Sequence, residues 1–163
     1  MASPIWCLDT SSLISVRSQF SRDDRQTVLA GLSALVTEGR LRFPREVVVE
    51  LQRYEGADNP ALNWAEAHQG TATQSQPSFE DVAAVLAQVP EVLDAEKEGV
   101  EEADAYVLAL AYRLMTDGED ARVVTEEFKT TVSKMPLCSA AGYLGIPSVS
   151  LRAMLKFEGI TSF

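Results

Sequence analysis

Apolar and polar residues along the chain alternate between short apolar runs and longer stretches of helical periodicity. Residues 4–8, Pro-Ile-Trp-Cys-Leu, read as a short buried strand. Asp9-Thr10-Ser11-Ser12 then supplies turn and helix-capping chemistry, and an apolar-periodic stretch follows from Leu13 to Phe20. Ser21 caps the next predicted helix, with Asp24 at its third position facing free backbone amides. Val28, Leu29, Leu32, Leu35 and Val36 fall on one face of it, and Gly39 ends it. Leu41-Arg42-Phe43 is a brief strand. Pro44 opens a helix through Tyr54 in which Val47, Leu51 and Tyr54 share a stripe.

Residues 56–78 are polar, and Gly56, Asn59-Pro60 and the Gly70–Ser78 tract punctuate them. A short helix around Trp64 interrupts this stretch, which reads as an elaboration within a single domain of residues 1–163. Ser78 caps a helix with the stripe Val82, Val85, Leu86 and Val89. After an acidic connector comes the most apolar helix, Ala103 to Met115, with Ala, Val, Leu and Tyr on every face, a pattern that marks a buried helix. Arg122 to Thr125 is the next strand, 136–144 a helix closed by Gly145, and Ile146 to Val149 a last strand before a short terminal helix. Strands separated by helices predict an α/β domain whose parallel sheet of four or five strands is covered on both sides.

Composition narrows the function classes. With 46% apolar and 23% charged residues, the 163-residue chain can bury a core, and it fits neither a repeat array nor a coiled coil. No run approaches the roughly 20 apolar residues that span a bilayer, and the start lacks the pattern of a secretory signal. Cys7 and Cys138 read as buried free thiols, which suits a cytoplasmic protein. The net charge of −10 argues against a generally basic nucleic-acid surface. The imbalance is local: residues 54–128 carry 3 basic and 17 acidic side chains, while 129–163 carry 4 and 1.

Some of those acids fall where chemistry is expected. Ligand sites of open parallel sheets lie at the carboxyl ends of the strands. Asp9 follows the first strand there, and Glu126 and Glu127 follow the strand ending at Val124. Asp9 is the only acid among the first 22 residues and adjoins an apolar strand. Asp104 sits in the first turn of the buried helix, where the dipole favours its anion by about 0.3–1 kcal/mol. Glu101 and Glu102 beside it read as exposed decoration. By pattern alone Glu50 belongs to a solvated stripe with Glu46 and Arg53. Converging carboxylates repel one another, and a divalent cation removes the conflict; oxygen-only ligands select Mg²⁺ or Mn²⁺ over zinc. Two such ions about 3.5–4 Å apart can hold a phosphodiester, and they reverse the local field for a polyanion.

The segment Cys-Leu-Asp9-Thr10-Ser11-Ser12-Leu-Ile resembles the opening motif of PIN domains, and Phe-Pro-Arg-Glu-Val-Val-Val-Glu50-Leu resembles their second motif. Ala-Asp104-Ala-Tyr-Val-Leu-Ala-Leu-Ala is similar to the third, and Val-Val-Thr125-Glu126-Glu127 to the fourth, with Glu in place of the commoner Asp. The segment from Lys134 to Cys138, with the later Gly145-Ile-Pro, resembles a PIN subfamily of this length. The resemblance implies a three-layer α/β/α PIN-like fold and a Mg²⁺- or Mn²⁺-dependent ribonuclease. In it Asp9, Glu50, Asp104 and Glu127 are the catalytic acids and metal ligands, with Glu126 a further candidate for the fourth place, and Ser11 and Thr125 orient water or phosphate. Water activated at the metal attacks a phosphodiester of RNA, leaving 5′-phosphate and 3′-hydroxyl ends. Many small members are VapC-type toxins restrained by a cognate antitoxin and often dimeric, so an antitoxin partner and a homodimer are expected.

Two other readings stand beside this one. A PIN fold that has lost catalysis would serve as a binding module. A phosphohydrolase forming an aspartyl-phosphate at Asp9 is the other, although Ser11 stands where such enzymes of the haloacid dehalogenase type carry a second aspartate. His68, the single histidine, reads as a surface residue, and Trp6 and Trp64 as packing residues. Ordinary surface charge accounts for Arg17, Arg22, Arg25, Lys129 and Lys134 as well as a role in guiding RNA does.

Overall fold

The computed structural model of the protein describes residues 3–55, 59–94, 102–128 and 134–160. Four parallel strands form its sheet: β1 (Ile5–Leu8), β2 (Leu41–Arg42), β3 (Ala121–Val124) and β4 (Ser148–Val149), in the order β2-β1-β3-β4. Helices flank the sheet in a three-layer α/β/α arrangement, the fold class expected, with four strands among the described residues. Parallel strands need crossover connections, and the helices supply them. They are α1 (Thr10–Gln19), α2 (Arg22–Thr37), α3 (Arg45–Glu55), α4 (Pro60–Ala72), α5 (Phe79–Gln88), α6 (Ala103–Thr116), α7 (Leu137–Tyr143) and α8 (Leu151–Phe157). Among the described residues no helix is long and apolar enough to cross a membrane.

The central pair fixes the site. β1 and β3 run side by side with Leu8 opposite Val124, so the residues that follow, Asp9 and Thr125, leave the sheet at the same edge. All four β1 residues are buried, as are Val123 and Val124, in keeping with strands covered on both faces. Helix α6 crosses behind them. Its Ala103, Ala105, Val107, Leu108, Ala109, Leu110 and Ala111 are all buried, so the helix that is apolar all round is the central helix of the core.

The segment after α3 is more ordered than its polarity suggests. Only a short helix around Trp64 was anticipated, yet α4 has thirteen residues. Asn59 caps it through bonds from the Ala61 and Leu62 amides, Pro60 occupies its first turn, and Ala61, Leu62, Trp64 and Ala65 bury one face. Residues 56–58 of the proposed elaboration lie outside the described residues. His68 is half-buried against the Trp64 ring and within hydrogen-bond distance of Ser33 Oγ, 3.0 Å away, so it packs more closely than a surface residue. Cys7 is a fully buried free thiol whose pKa burial pushes up to about 12. Cys138 is free and half-buried.

Candidate metal centre

Asp9 caps α1 from the end of β1, accepting a hydrogen bond from the Ser12 amide at 2.9 Å. Its carboxylate is completely buried and surrounded by hydroxyls. Ser11 Oγ lies 2.8 and 2.9 Å from the two carboxylate oxygens, Ser12 Oγ 3.0 Å from Oδ1, and Thr125 Oγ1 donates to Oδ2 at 2.6 Å. Ser11 and Thr125 also accept from the loop after β3. The Glu126 amide donates to Ser11 Oγ and the Glu127 amide to Thr125 Oγ1, both at 3.0 Å. Each hydroxyl thus relays a backbone N–H of the β3 loop onto Asp9. The two residues predicted to orient water or phosphate are tied here into the network that locks β1 and β3 together at the acid.

Three acids meet at this edge. One carboxylate oxygen each from Asp9, Asp104 and Glu127 lies within 4.8 Å of the others, close enough for one metal ion to be held by all three. Asp104 reaches the cluster from the first turn of α6 and is only 4% exposed. Burial raises its pKa well above the ordinary carboxylate range, and repulsion from Glu127 adds to the shift. Asp9 is raised to about 6, because its burial outweighs the hydrogen bonds from Thr125, Ser12 and Ser11 that favour the anion. Burial and mutual repulsion therefore favour a proton or a neighbouring cation at these acids.

The other predicted acids take different places. Glu50, from α3, lines the same cavity but donates no oxygen to the group of three: its Oε2 accepts the Ala103 amide at 2.9 Å. It thereby caps α6 from a neighbouring helix, since Glu102 at the N-cap position makes no side-chain cap. Glu126 turns away from the cluster, and its Oε1 accepts the Leu151 amide at the start of α8, 2.8 Å away. Of the adjacent pair, only Glu127 points into the site.

Glu102 departs from the expectation of exposed decoration. It is buried, accepts the Asp94 amide at 2.7 Å and lines the cavity. Glu101 and Lys129 lie outside the described residues. Glu46, read with a solvated stripe, is also buried, and its Oε1 accepts from Gln76 at 2.7 Å. Lys134 is the largest departure. Its Nζ donates to Asp104 Oδ2 and, at 2.9 Å, to Glu127 Oε1. The side chain is 15% exposed, which excludes ordinary surface charge. Burial would lower its pKa, but Asp104 and Glu127 reverse that and raise it. No local pattern marks it, because its partners lie 30 and 7 residues away in sequence.

A cavity of about 180 Å³ opens onto the cluster, lined by Thr10, Ser11, Ile14, Glu50, Tyr54, Glu102, Asp104, Glu127 and Lys134. Thr10 Oγ1, on a residue 3% exposed, is the buried side-chain polar atom without a hydrogen-bond partner among the described residues. Buried hydroxyls are ordinarily satisfied, so Thr10 is an exception among the residues beside this cavity. An all-carboxylate donor set fits a hard divalent cation, which would take the place of the ammonium now seated between two of the acids.

Fold and cluster together define an α/β protein with a three-carboxylate centre, two of its acids buried and Glu127 partly exposed, at the carboxyl edge of a parallel sheet. Residues 6–162 match the model of the family described as Domain of unknown function (DUF4411), and the chain belongs to that family. Neither the curated proteins nor the solved structures contain a significant match.

Proposed function

We propose that the protein is a PIN-like, Mg²⁺- or Mn²⁺-dependent ribonuclease that hydrolyses RNA phosphodiesters. The observation that carries this reading is the meeting of Asp9, Asp104 and Glu127, distant in sequence, within reach of one ion, with Asp104 and Glu127 lining the cavity and Asp9 buried behind it. A divalent ion bound there supplies a hydroxide-generating Lewis acid and the positive field that an acidic protein needs to receive a polyanion. Asp9, Asp104 and Glu127 hold that ion directly. Glu50 and Glu102, beside them in the cavity, are placed to reach it through water or to serve a second one. Ser11 and Thr125 keep Asp9 ionised and aimed, while Tyr54 in the cavity wall offers a ring on which a nucleobase can stack.

The inactive binding module has one observation in its favour: the Lys134 ammonium already compensates Asp104 and Glu127. An aspartyl-phosphate enzyme is disfavoured because Asp9 is fully buried and both its oxygens are engaged by hydroxyls. Incubation of the purified protein with Mn²⁺ and mixed RNA, beside Asp9→Asn and Asp104→Asn, tests the reading. Asparagine keeps the helix cap at position 9 while removing the charge. Cleavage by the wild type and loss in both variants supports it; cleavage that survives both substitutions points to another mechanism. Folded but inert wild-type protein across metals and RNAs favours the binding module. If the nuclease is a toxin with an antitoxin partner, its expression in a bacterium arrests growth and the Asp9→Asn form does not.

A further inference from the structure

Lys134 lies just before α7, and its backbone is anchored close by: the Met135 amide donates to the Glu91 carbonyl at 2.7 Å, and Pro136 precedes the helix. The side chain therefore reaches the cluster from a fixed point. Its Nζ takes one oxygen from Asp104 and one from Glu127, two of the three acids able to share a metal ion. An ammonium bonded to both carboxylates and a divalent ion coordinated by the same oxygens cannot occupy that space together. The neighbouring cavity, about 180 Å³ and lined by Lys134 itself, gives the displaced side chain somewhere to go.

We infer that Lys134 is a built-in competitor of the divalent ion: it holds Asp104 and Glu127 together while the metal is absent, and metal binding expels its ammonium into the cavity. This rests on the metal-centre reading given above and adds to it a regulation of that site. The lysine lowers the apparent metal affinity by the free energy needed to break its two ion pairs, so the protein loads only above a threshold concentration of free cation. It also spares the metal-free fold the repulsion of uncompensated buried acids.

Two measurements on the full chain test the inference. The first is calorimetric titration of Mn²⁺ into wild type, Lys134→Met and Lys134→Gln. Both variants are expected to bind at least about tenfold more tightly than wild type, which corresponds to about 1.4 kcal/mol. The second is lysine acylation of the wild type read by mass spectrometry. Lys134 should be protected in chelator and labelled several-fold faster in saturating Mn²⁺, with the exposed Lys156 unchanged. The second readout also separates displacement from a general loss of positive charge, and it stands if the variants fail to fold. Wild type that binds Mn²⁺ while Lys134 remains protected, or variants that bind no more tightly, overturns the lysine's role and leaves the metal centre intact. No Mn²⁺ binding by the wild type overturns both.

Discussion

Asp9 has two duties at one position, helix capping and a share in the acidic cluster, and the side chains around it divide those duties. Ser12 serves the cap, whereas Ser11 and Thr125 connect the carboxylate to the loop that carries Glu127. Such outer partners typically change metal affinity about 10–100-fold when removed. Ser11→Ala and Thr125→Val are therefore each expected to weaken Mn²⁺ binding within that range by calorimetry; unaltered affinity in both would show that the hydroxyls do not position the acid. The adjacent glutamates separate cleanly at this scale. Glu127→Gln should remove Mn²⁺ binding with little effect on folding. Glu126→Gln should keep it and lose about 1 kcal/mol of stability, because only the cap of α8 is weakened. Calorimetry and denaturant unfolding of the two variants check both halves, and loss of metal binding in Glu126→Gln alone would reverse the assignment. This distinction was not legible in the sequence. Neighbouring residues with one chemistry differ only in the direction the loop gives them, and that direction comes from Leu151 on one side and Lys134 on the other.

Among the elements, those whose pattern was complete within themselves were the easiest to read. Helix α6 is apolar on every face and is buried on nearly every face; α2 has its serine cap, its apolar stripe and Gly39 at a φ of 73°. Leu108→Ala in α6 is expected to cost about 2–5 kcal/mol in denaturant unfolding, since the fully buried side chain leaves a cavity. A cost below 1 kcal/mol would mean that α6 does not centre the core. Helix α4 was underestimated because its exposed face of Asn63, Glu66, Gln69 and Gly70 resembles loop composition, while its buried face consists of Ala61, Leu62, Trp64, Ala65 and Ala72, three of them small alanines. Helix α8 is fastened by Glu158, which accepts Arg40 Nη1 and Nη2 at 2.9 and 2.5 Å and Trp6 Nε1 at 2.9 Å. Burial alone would raise the Glu158 pKa, but the bonds from Arg40 and Trp6 outweigh it and hold the carboxyl below its ordinary value. A depressed carboxylate stabilises the fold above its unfolded-state pKa, and that contribution disappears as pH falls through the folded value. Glu158→Gln should therefore be less stable than wild type at pH 7, with the gap closing as the solution is acidified below the usual carboxylate range. A gap independent of pH would contradict the clamp.

For the molecule as a whole, the sheet order explains how acids distant in sequence come to share one place. β1 and β3 are neighbours although more than a hundred residues separate them, so Asp9 leaves the sheet beside Thr125, two residues before Glu127, and α6 brings Asp104 to the same edge. The strand ends made Asp9 and the Glu126–Glu127 pair visible in the chain, and the buried helix made Asp104 visible. Glu102 and Lys134 were hidden because their roles depend on contacts to Asp94, Asp104 and Glu127 that only the folded chain creates. With a net charge of −10, the protein should bind RNA weakly in chelator and measurably better in Mn²⁺, as read by fluorescence anisotropy with a short single strand. Equal affinity in both conditions, or none in either, would count against RNA recognition through this site. Anomalous diffraction at the manganese edge from crystals soaked in Mn²⁺ decides whether the acidic cluster is a divalent-metal site. A peak is expected among the carboxylates of Asp9, Asp104 and Glu127, with Lys134 swung away. A featureless map at that position, with the ammonium still bridging Asp104 and Glu127 at saturating Mn²⁺, would contradict it.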